Sequence, residues 1–367
     1  MTFDPSRPFN DLPVLPPSAD IETKAILRKA LAARAALAEL KGIAETIPQP
    51  EILINTILLQ EAKDSSEIEN IITTNDSLYR AAALKNDDHV DSQTKEVIRY
   101  RRALWAGFQH LQKRGSVGTN TAVEIFQILK ETTAEVRKTP GTTLQNAATG
   151  EIMYTPPEGE SVLREKLDNL WWFLNDRTHA EIDPLIRLAV MHYQFESIHP
   201  FTDGNGRTGR ILNVLYLVQE GLLALPILYH SSHIIANKPD YYRLLRAVTA
   251  HEEWEQWILF MLTTIEQTSH RTIAKIATVR GLMAETFEKV KTELPRLRQA
   301  KEIVEILFAN PYGKIEHLVE RKLGVRQSVS KYLKELESIG ILKTEQIWKE
   351  TVYLNVPLWD ALSGMSR

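Results

Sequence analysis

The sequence has no cysteine among its 367 residues. Disulfide bonds, thiolate metal sites and a cysteine nucleophile are therefore excluded. Its first residues lack the basic stretch and apolar run of a signal peptide, and no stretch approaches the roughly 18 apolar residues of a membrane span. We therefore expect a cytoplasmic protein without membrane attachment. The sequence also lacks the Gly-x-x-x-x-Gly-Lys-Ser/Thr phosphate loop, so a nucleotide would have to be bound by another device.

The overall composition is that of an ordinary globular protein. Apolar residues make up 43% of the chain and charged residues 25%, and the length is sufficient for two or three domains. The formal net charge is only -3, which gives the whole chain no drive toward nucleic acid or anionic membranes.

Hydrophobic periodicity predicts a mostly helical chain with one hairpin in the middle. Five prolines in the first twenty residues predict an extended arm. The pair Asp183-Pro184 is typical of a helix start. Turn residues at Ala148-Thr149-Gly150 predict a hairpin over 142–156. Helices are predicted at 21–47, 51–70, 91–113, 120–134, 161–175, 183–195, 207–220, 239–250, 252–268 and 270–293.

The last seventy residues predict a separate small module. Helices at 299–310, 315–323 and 326–338 precede extended segments at 339–342 and 351–354. This order resembles a winged-helix domain with 326–338 in the place of the DNA-reading helix. From Pro295 onward there are 12 Lys and Arg against 9 Asp and Glu, a modest excess for a nucleic-acid surface. DNA binding is possible, and a protein-docking or dimer-forming role is favoured.

One stretch, residues 199–210, combines groups that suit phosphate binding. Gly204 and Gly206 remove side-chain bulk where the backbone turns into a helix, so successive N–H groups can form an anion site at the helix N-terminus. Arg207 and Arg210 lie three residues apart on that helix and share a face. Both arginines can therefore reach one polyphosphate.

The same stretch also provides a base and a metal ligand. His199 has an ordinary pKa of ~6.5, suited to removing a hydroxyl proton at neutral pH, and Pro200 restricts its conformation. Asp203 offers a carboxylate oxygen, the ligand type that Mg²⁺ takes when it also bridges phosphates. Each of these groups alone is usually structural, but their combination within twelve residues indicates a phosphate-transfer site.

These residues match the Fic family signature His-Pro-Phe-x-Asp/Glu-Gly-Asn-Gly-Arg-x-x-Arg at every defined position. The resemblance extends over roughly 90–270. It implies a mostly helical fold that binds ATP and moves AMP onto a Ser, Thr or Tyr hydroxyl, with His199 as general base and Asp203 holding Mg²⁺. By the same resemblance the nucleotide-binding residues are Phe201, Thr202, Asp203, Gly204, Asn205, Gly206, Arg207 and Arg210, with Met153, Tyr154 and Tyr241 beside the nucleotide.

The hairpin at 142–156 lies where the family places a flap over the active site. Such a hairpin can hold a target segment as an added strand. A plain surface hairpin is the alternative interpretation.

A second pattern of the family, Ser/Thr-x-x-x-Glu-Gly/Asn, fits Ser65, Glu69 and Asn70. In some Fic proteins this motif belongs to an inhibitory helix whose glutamate pairs with the second arginine of the signature. The resemblance therefore implies that Glu69 pairs with Arg210 and competes with the γ-phosphate of ATP for the same guanidinium. Ser65, four residues earlier, is placed to hydrogen-bond to Glu69.

The sequence therefore predicts a mostly α protein with three parts. These are an N-terminal arm and helical region with the inhibitory helix (1–90), a Fic core with a β-hairpin flap (91–293), and a winged-helix-like α+β domain (294–367). The expected function is autoinhibited transfer of AMP from ATP, with Mg²⁺, to an unidentified target protein and to itself. A homodimer is expected from the family. The alternatives are a Fic enzyme that uses another nucleotide or removes AMP, and a nucleotide-sensing DNA-binding regulator.

Overall fold

The computed structural model describes residues 3–45, 50–84, 89–145, 149–347 and 350–364. The chain is mostly helical, with two small antiparallel sheets. In chain order the elements are α1 Lys24–Glu45, α2 Pro50–Ile68, α3 Asn75–Ala83, α4 Ser92–Arg114, α5 Thr119–Lys130, β1 Leu144–Gln145, β2 Ile152–Tyr154, α6 Glu160–Asn175, α7 Pro184–Ile198, α8 Asn205–Gln219, α9 Ser231–Ala236, α10 Lys238–His251, α11 Trp254–Glu293, α12 Ala300–Leu307, β3 Tyr312–Gly313, α13 Ile315–Glu320, α14 Arg326–Ser338, β4 Leu342–Ile347, β5 Glu350–Asn355 and α15 Val356–Gly364.

Two helices, α7 and α8, form the centre of the protein. Almost every residue of both is buried, as expected of helices surrounded by other elements on all sides. The start of α7 is the predicted one: the Asp183 side chain accepts a hydrogen bond from the Leu185 N–H at 2.8 Å, and Pro184 occupies the first turn. The buried pair α7–α8 therefore fixes the position of both ends of the loop that connects the two helices.

The N-terminal helices cover this centre. Helix α1 packs along α11, and Lys29 forms an ion pair there with Glu266. Helix α2 packs between α4 and α9. Its buried Glu61 accepts hydrogen bonds from the Ser231 N–H (2.8 Å), the Ser231 hydroxyl (2.6 Å) and the Tyr100 hydroxyl (3.2 Å). These bonds fix α2 to both neighbours one turn before the predicted inhibitory motif begins.

The predicted hairpin is present as β1 and β2. Leu144 pairs with Tyr154 and Gln145 with Ile152 in antiparallel register; Ala148, at the predicted turn, lies outside the described residues. The N-terminal arm packs against this hairpin: the Phe3 ring stacks on Tyr154 with centroids 6.0 Å apart. The arm thus supports one face of the flap.

The C-terminal module contains helices α12 to α14, a three-stranded antiparallel sheet in the order β3-β5-β4, and α15. It contacts α3, the helix that follows the predicted inhibitory motif. The Tyr312 hydroxyl donates to Asp76 at 2.6 Å, and Arg80 forms an ion pair with Glu345 at 3.2 Å. The predicted fold class is confirmed, while the division into three domains stays a prediction.

Some local predictions were wrong. The two helices predicted at 252–268 and 270–293 are one helix of 40 residues, Trp254–Glu293, because neither Ser269 nor His270 breaks a helix. Helices α3, α9 and α15 and strand β3 were not predicted, and each has nine residues or fewer. In the part of the chain that the structure describes, no helix has the length and apolar character to cross a membrane.

Candidate active site

The signature residues form the tight turn that joins α7 to α8. His199 ends α7 in the left-handed conformation with φ 49°, and Gly204 precedes α8 with φ 75°. A positive φ suits glycine and is uncommon for histidine. The turn therefore depends on contacts that keep His199 in this conformation.

Asn205 and Phe201 determine the shape of the loop. The Asn205 side chain donates to the Phe201 carbonyl and accepts from the Phe201 N–H, both at 2.8 Å. The Phe201 ring is buried and stacks on Phe126 with centroids 4.3 Å apart. Both side chains are thus committed to the fold, so a nucleotide contact at these two positions would come from the main chain. Thr202 is exposed.

Arg210 is the most enclosed charge of the signature. Its side chain is 0% exposed. Nε donates to the Ser65 hydroxyl, and Nη2 donates to both the Ser65 carbonyl and Glu69 Oε1, all at 2.8 Å. Burial lowers the pKa of the Arg210 guanidinium, but Glu69, together with Tyr241 and Glu196, raises it above its ordinary value. The predicted Glu69–Arg210 contact is therefore present.

The turn after α2 places Glu69 in this position. The helix ends at Ile68, and Asn70 has φ 61°. The Asn70 N–H donates to the Glu67 carbonyl, and the Ile71 N–H donates to the Ser66 carbonyl, each at 3.0 Å. The predicted hydrogen bond from Ser65 to Glu69 was wrong. The hydroxyl of Ser65 binds Arg210 instead, because the guanidinium lies between α2 and α8.

Gly206 makes the approach of Glu69 possible. A Cβ atom at position 206 would lie 2.2 Å from Glu69 Oε1 and 3.0 Å from Arg210 Nη1. The first distance is far below a van der Waals contact. The carboxylate therefore lies directly against the backbone that the sequence predicted to bind phosphate.

A second cluster of charged side chains surrounds Arg207. Its Nη1 donates to Glu96 at 2.7 Å, and the side chain is 1% exposed. Lys130 bridges Glu96 at 2.9 Å and Asp203 Oδ2 at 2.7 Å. Sequence reasoning did not find Glu96 or Lys130. Both are charged residues on amphipathic helices. Because such helices carry many charged residues, the sequence gives only a weak signal that these two belong to the site.

Asp203, the predicted metal ligand, remains accessible. Its side chain is 63% exposed, and Oδ1 accepts from the Gly204 N–H at 2.6 Å. Burial raises the pKa of this carboxyl, but Lys130, Arg207 and the Gly204 N–H together lower it below the ordinary value. Among the described residues no group of three or more His, Cys, Asp or Glu could hold a metal alone. One exposed carboxylate fits Mg²⁺ only when phosphate oxygens and water complete its shell.

His199 faces the cavity as a neutral imidazole. It is half-buried, and its Nδ1 has no hydrogen-bond partner among the described residues. Burial and then the charge of Arg137 lower its pKa to about 4. At neutral pH the ring can therefore accept a proton, although its basicity is lower than the ordinary value used in the sequence prediction.

Most of these groups meet in one cavity of about 620 Å³. Tyr241 lies in its wall with the hydroxyl 2.8 Å from His192 Nε2, and Tyr242 is the more exposed of the pair. The Tyr154 hydroxyl donates to the Ser197 carbonyl at 2.9 Å. Asp203, on the loop, and Arg207, in the first turn of α8, do not line the cavity. The lining includes Glu69, Asn70, Met153, Tyr154, Glu196, His199, Gly206, Arg210, Tyr241 and Tyr242.

Glu196 is an acid of this cavity that sequence reasoning missed. Its Oε1 is buried without a hydrogen-bond partner among the described residues, and a Cβ at Gly209 would lie 2.7 Å from it. Burial raises its pKa to about 8. Glu196 is therefore mostly protonated at neutral pH.

A glycine turn at a helix start, two buried arginines and a neutral imidazole form a candidate nucleotide-phosphate site on a mostly helical fold. Three consecutive segments of the chain match known families. Residues 27–109 match the Fic/DOC family N-terminal domain, residues 119–217 match the Fic/DOC family, and residues 282–358 match the C-terminal domain described as protein adenylyltransferase SoFic-like. The chain therefore contains a Fic/DOC domain, preceded by the N-terminal domain of that family, and the resemblance noted in the sequence is confirmed.

Curated relatives support this assignment over short regions. The protein adenylyltransferase fic-1 of Caenorhabditis elegans is 39% identical over 106 residues, which is 27% of this chain and 21% of the relative. A probable protein adenylyltransferase of Aquifex aeolicus is 43% identical over 65 residues, 18% of this chain and 19% of the relative. The chain thus spans about a fifth of the length of these relatives.

Solved structures show the same fold. A Fic family protein from Desulfovibrio desulfuricans has a TM-score of 0.57 at 16% identity, covering 91% of this chain and 96% of its own. Fic-1 from C. elegans has a TM-score of 0.53 at 20% identity, covering 68% of this chain and 72% of its own.

Proposed function

We propose that this protein transfers AMP from ATP to Ser, Thr or Tyr hydroxyls of a target protein and of itself, and that Glu69 inhibits the transfer. The observation that carries the proposal is the Glu69–Arg210 contact at 2.8 Å, which lies in the same cavity as the neutral His199. The names of the curated relatives, protein adenylyltransferases, support the reaction class.

The chemistry follows from positioning. A target hydroxyl attacks the α-phosphorus of ATP while His199 takes its proton. A new bond joins the target oxygen to the α-phosphorus, the bond from that phosphorus to the bridging oxygen breaks, and pyrophosphate leaves. Arg207 and Arg210 balance the charge of the departing pyrophosphate.

Asp203 is the residue that would hold Mg²⁺, together with phosphate oxygens and water. The ion supplies charge neutralisation to the phosphates when it is bound. Lys130 now occupies Asp203 Oδ2 at 2.7 Å. Since Lys130 also contacts Glu96, it retains a partner if the Asp203 contact is given up.

Inhibition follows from competition for one guanidinium. The γ-phosphate needs Arg210, and Glu69 now fills the space against Gly206 and Nη2 of Arg210. ATP that enters while Glu69 remains would place its α-phosphorus out of line with the hydroxyl.

We also propose that Tyr241 and the flap residues Met153 and Tyr154 form the nucleoside side of the cavity. All three line it. The flap would hold the target segment by strand pairing. The homodimer, the target protein, the cytoplasmic location and the docking role of the C-terminal module stay predictions.

The test is transfer of label from α-labelled ATP to protein. Wild type, Glu69→Gly and the double variant Glu69→Gly with His199→Ala are compared. Strong labelling of the Glu69→Gly variant alone is the expected result. Equal labelling of wild type and Glu69→Gly would reject the inhibitory role and keep the transferase.

Absence of labelling in all three variants, with ATP bound, would reject AMP transfer from ATP. The remaining candidates would then be another donor nucleotide, removal of AMP, or a nucleotide-sensing DNA-binding regulator. Salt-dependent binding of duplex DNA would identify the regulator.

A further inference from the structure

Arg137 lies outside the signature, in the segment between α5 and β1, and its residue is 4% exposed. A buried arginine is rarely left without partners. Among the hydrogen bonds of the described residues, none joins the Arg137 guanidinium to a carboxylate; carbonyl oxygens accept from it instead.

These carbonyls belong to the turn that carries the proposed base. Arg137 Nε donates to the His199 carbonyl at 2.8 Å, and Nη2 lies 3.5 Å from the Ile198 carbonyl. The Arg137 main-chain N–H donates to the Pro200 carbonyl at 2.9 Å. One residue therefore contacts three consecutive carbonyls, those immediately before, at and after His199.

The position suits a cation. The last carbonyls of a helix have no partner within the helix and carry partial negative charge. Ile198 is the last residue of α7, and His199 caps it with φ 49°. A left-handed conformation is strained for a non-glycine residue. The hydrogen bonds of Arg137 hold the peptide groups on both sides of His199 and offset that strain.

Arg137 also connects the turn to the flap. Its Nη2 donates to the carbonyl of Pro157, three residues after the end of β2. Tyr154, the last residue of β2, donates in parallel to the Ser197 carbonyl. Two links therefore join the hairpin side of the cavity to the end of α7. Arg137 bridges the carbonyls of Pro157 and His199, and Tyr154 bonds directly to the carbonyl of Ser197.

We propose that Arg137 is a positioning residue for the transfer reaction, which fixes the direction of the His199 imidazole and its distance from the flap. This inference rests on the proposed function. Arg137 does not line the cavity and so acts through His199, not on the nucleotide. A displacement of about 1 Å at a reacting group can lower a rate about 100-fold.

The electrostatics agree with this role. The charges that act on His199 are Arg137, from the segment after α5, Glu69, from the turn after α2, and Asp203, from the same loop. Arg137 lowers the pKa of the imidazole, whereas the two carboxylates raise it. Removal of the Arg137 charge should therefore raise the pKa of His199.

The experiment compares Arg137→Met and Arg137→Lys in the Glu69→Gly protein. The matched control is Arg187→Met: Arg187 is also buried and donates to a helix-end carbonyl, that of Leu174, at 2.9 Å. We expect Arg137→Met to lower kcat about 100-fold with less than a ~3-fold change in KM for ATP. Arg137→Lys should recover part of the lost kcat, and Arg187→Met should leave kcat unchanged.

Two kinetic results would overturn the proposal. One is a kcat for Arg137→Met within ~3-fold of the parent, on the same scale of positional effects. The other is an equal loss of kcat in Arg137→Met and the folded control, which would indicate general destabilisation.

A second readout separates this proposal from the proposed function. In ¹⁵N-histidine-labelled protein, His199→Asn assigns the His199 resonances among the ten histidines. Arg137→Met should shift these resonances and raise the pKa of the ring, and Arg187→Met should leave both unchanged. If Glu69→Gly transfers no AMP, the proposed function fails, while unchanged His199 resonances in Arg137→Met would overturn the role of Arg137.

Discussion

Replacing Glu69 with alanine should lower the stability of the ATP-free protein and raise its affinity for ATP. Arg210 has 0% side-chain exposure, and Glu69 is the carboxylate that it contacts. A hydrogen bond to a charged group contributes about 1.5–3 kcal/mol. Because the Glu69 side chain is 32% exposed, the lower part of that range, about 1.5–2 kcal/mol, applies.

The same free energy opposes ATP, since the γ-phosphate must displace Glu69 to reach Arg210. Removing Glu69 should therefore raise ATP affinity about 10–30-fold, at 1.4 kcal/mol for each factor of ten. Without ATP the melting temperature should fall by a few degrees, because 1 kcal/mol shifts Tm by roughly 2–4 °C in domains of 150–250 residues. Saturating ATP should reverse the difference.

The assay combines thermal unfolding, with and without ATP, and calorimetric titration of ATP. Glu67→Ala is the matched control, since Glu67 lies two residues earlier and pairs with Lys63 on the surface at 3.3 Å. It should change Tm by a degree or less and leave ATP affinity unchanged. If Glu69→Ala is as stable as wild type and binds ATP no more tightly, the competition between Glu69 and the γ-phosphate is refuted.

Three further predictions concern the same site. Because the pKa of His199 is lowered to about 4, transfer by Glu69→Gly should stay constant from about pH 8 to pH 5.5 and fall only below that; half-maximal activity near pH 6.5 would contradict it. Burial raises the pKa of Glu61 to about 7, so its stabilising contribution declines as pH rises from the unfolded value of 4.5 to 7. The stability of Glu61→Gln relative to wild type, measured in urea, should therefore be greater at pH 8 than at pH 5. An equal stability difference at the two pH values would mean that the pKa of Glu61 is not raised in the folded protein. Gly206→Ala places a methyl 2.2 Å from Glu69 and should lower Tm in wild type much more than in Glu69→Ala; equal losses would mean that the two positions do not interact.

The turn at the site was predictable because its determinants are contiguous. Gly204 has the positive φ that a glycine before a helix suggests, and Asp183-Pro184 begins α7. The helix predicted at 326–338 has those bounds, with Val329 and Leu333 buried on its inner face. In each case a few neighbouring residues contain the physical reason for the structure.

Other features depend on contacts that no local pattern encodes. Arg137 contacts the His199 carbonyl across 62 positions, and Arg207 contacts Glu96 across 111. An arginine in an irregular segment gives no sign of being buried. The partner of Ser65 was mispredicted for the same reason: spacing indicates which side chains share a helix face, but not that Arg210 is inserted between them.

The charges of the cavity explain how one guanidinium can control the site. Arg210 is paired with Glu69, while burial raises the pKa of Glu196 to about 8; the charge of Arg210 opposes this rise and the charge of Glu69 adds to it. Glu69 is thus the carboxylate that the guanidinium contacts directly, while Glu196 is mostly protonated at neutral pH. A γ-phosphate that displaces Glu69 also removes one of the charges that keep Glu196 protonated, but it brings negative charge to the same place. We therefore expect Glu196 to stay neutral in both states, so that phosphate can replace Glu69 without a second anion competing for Arg210.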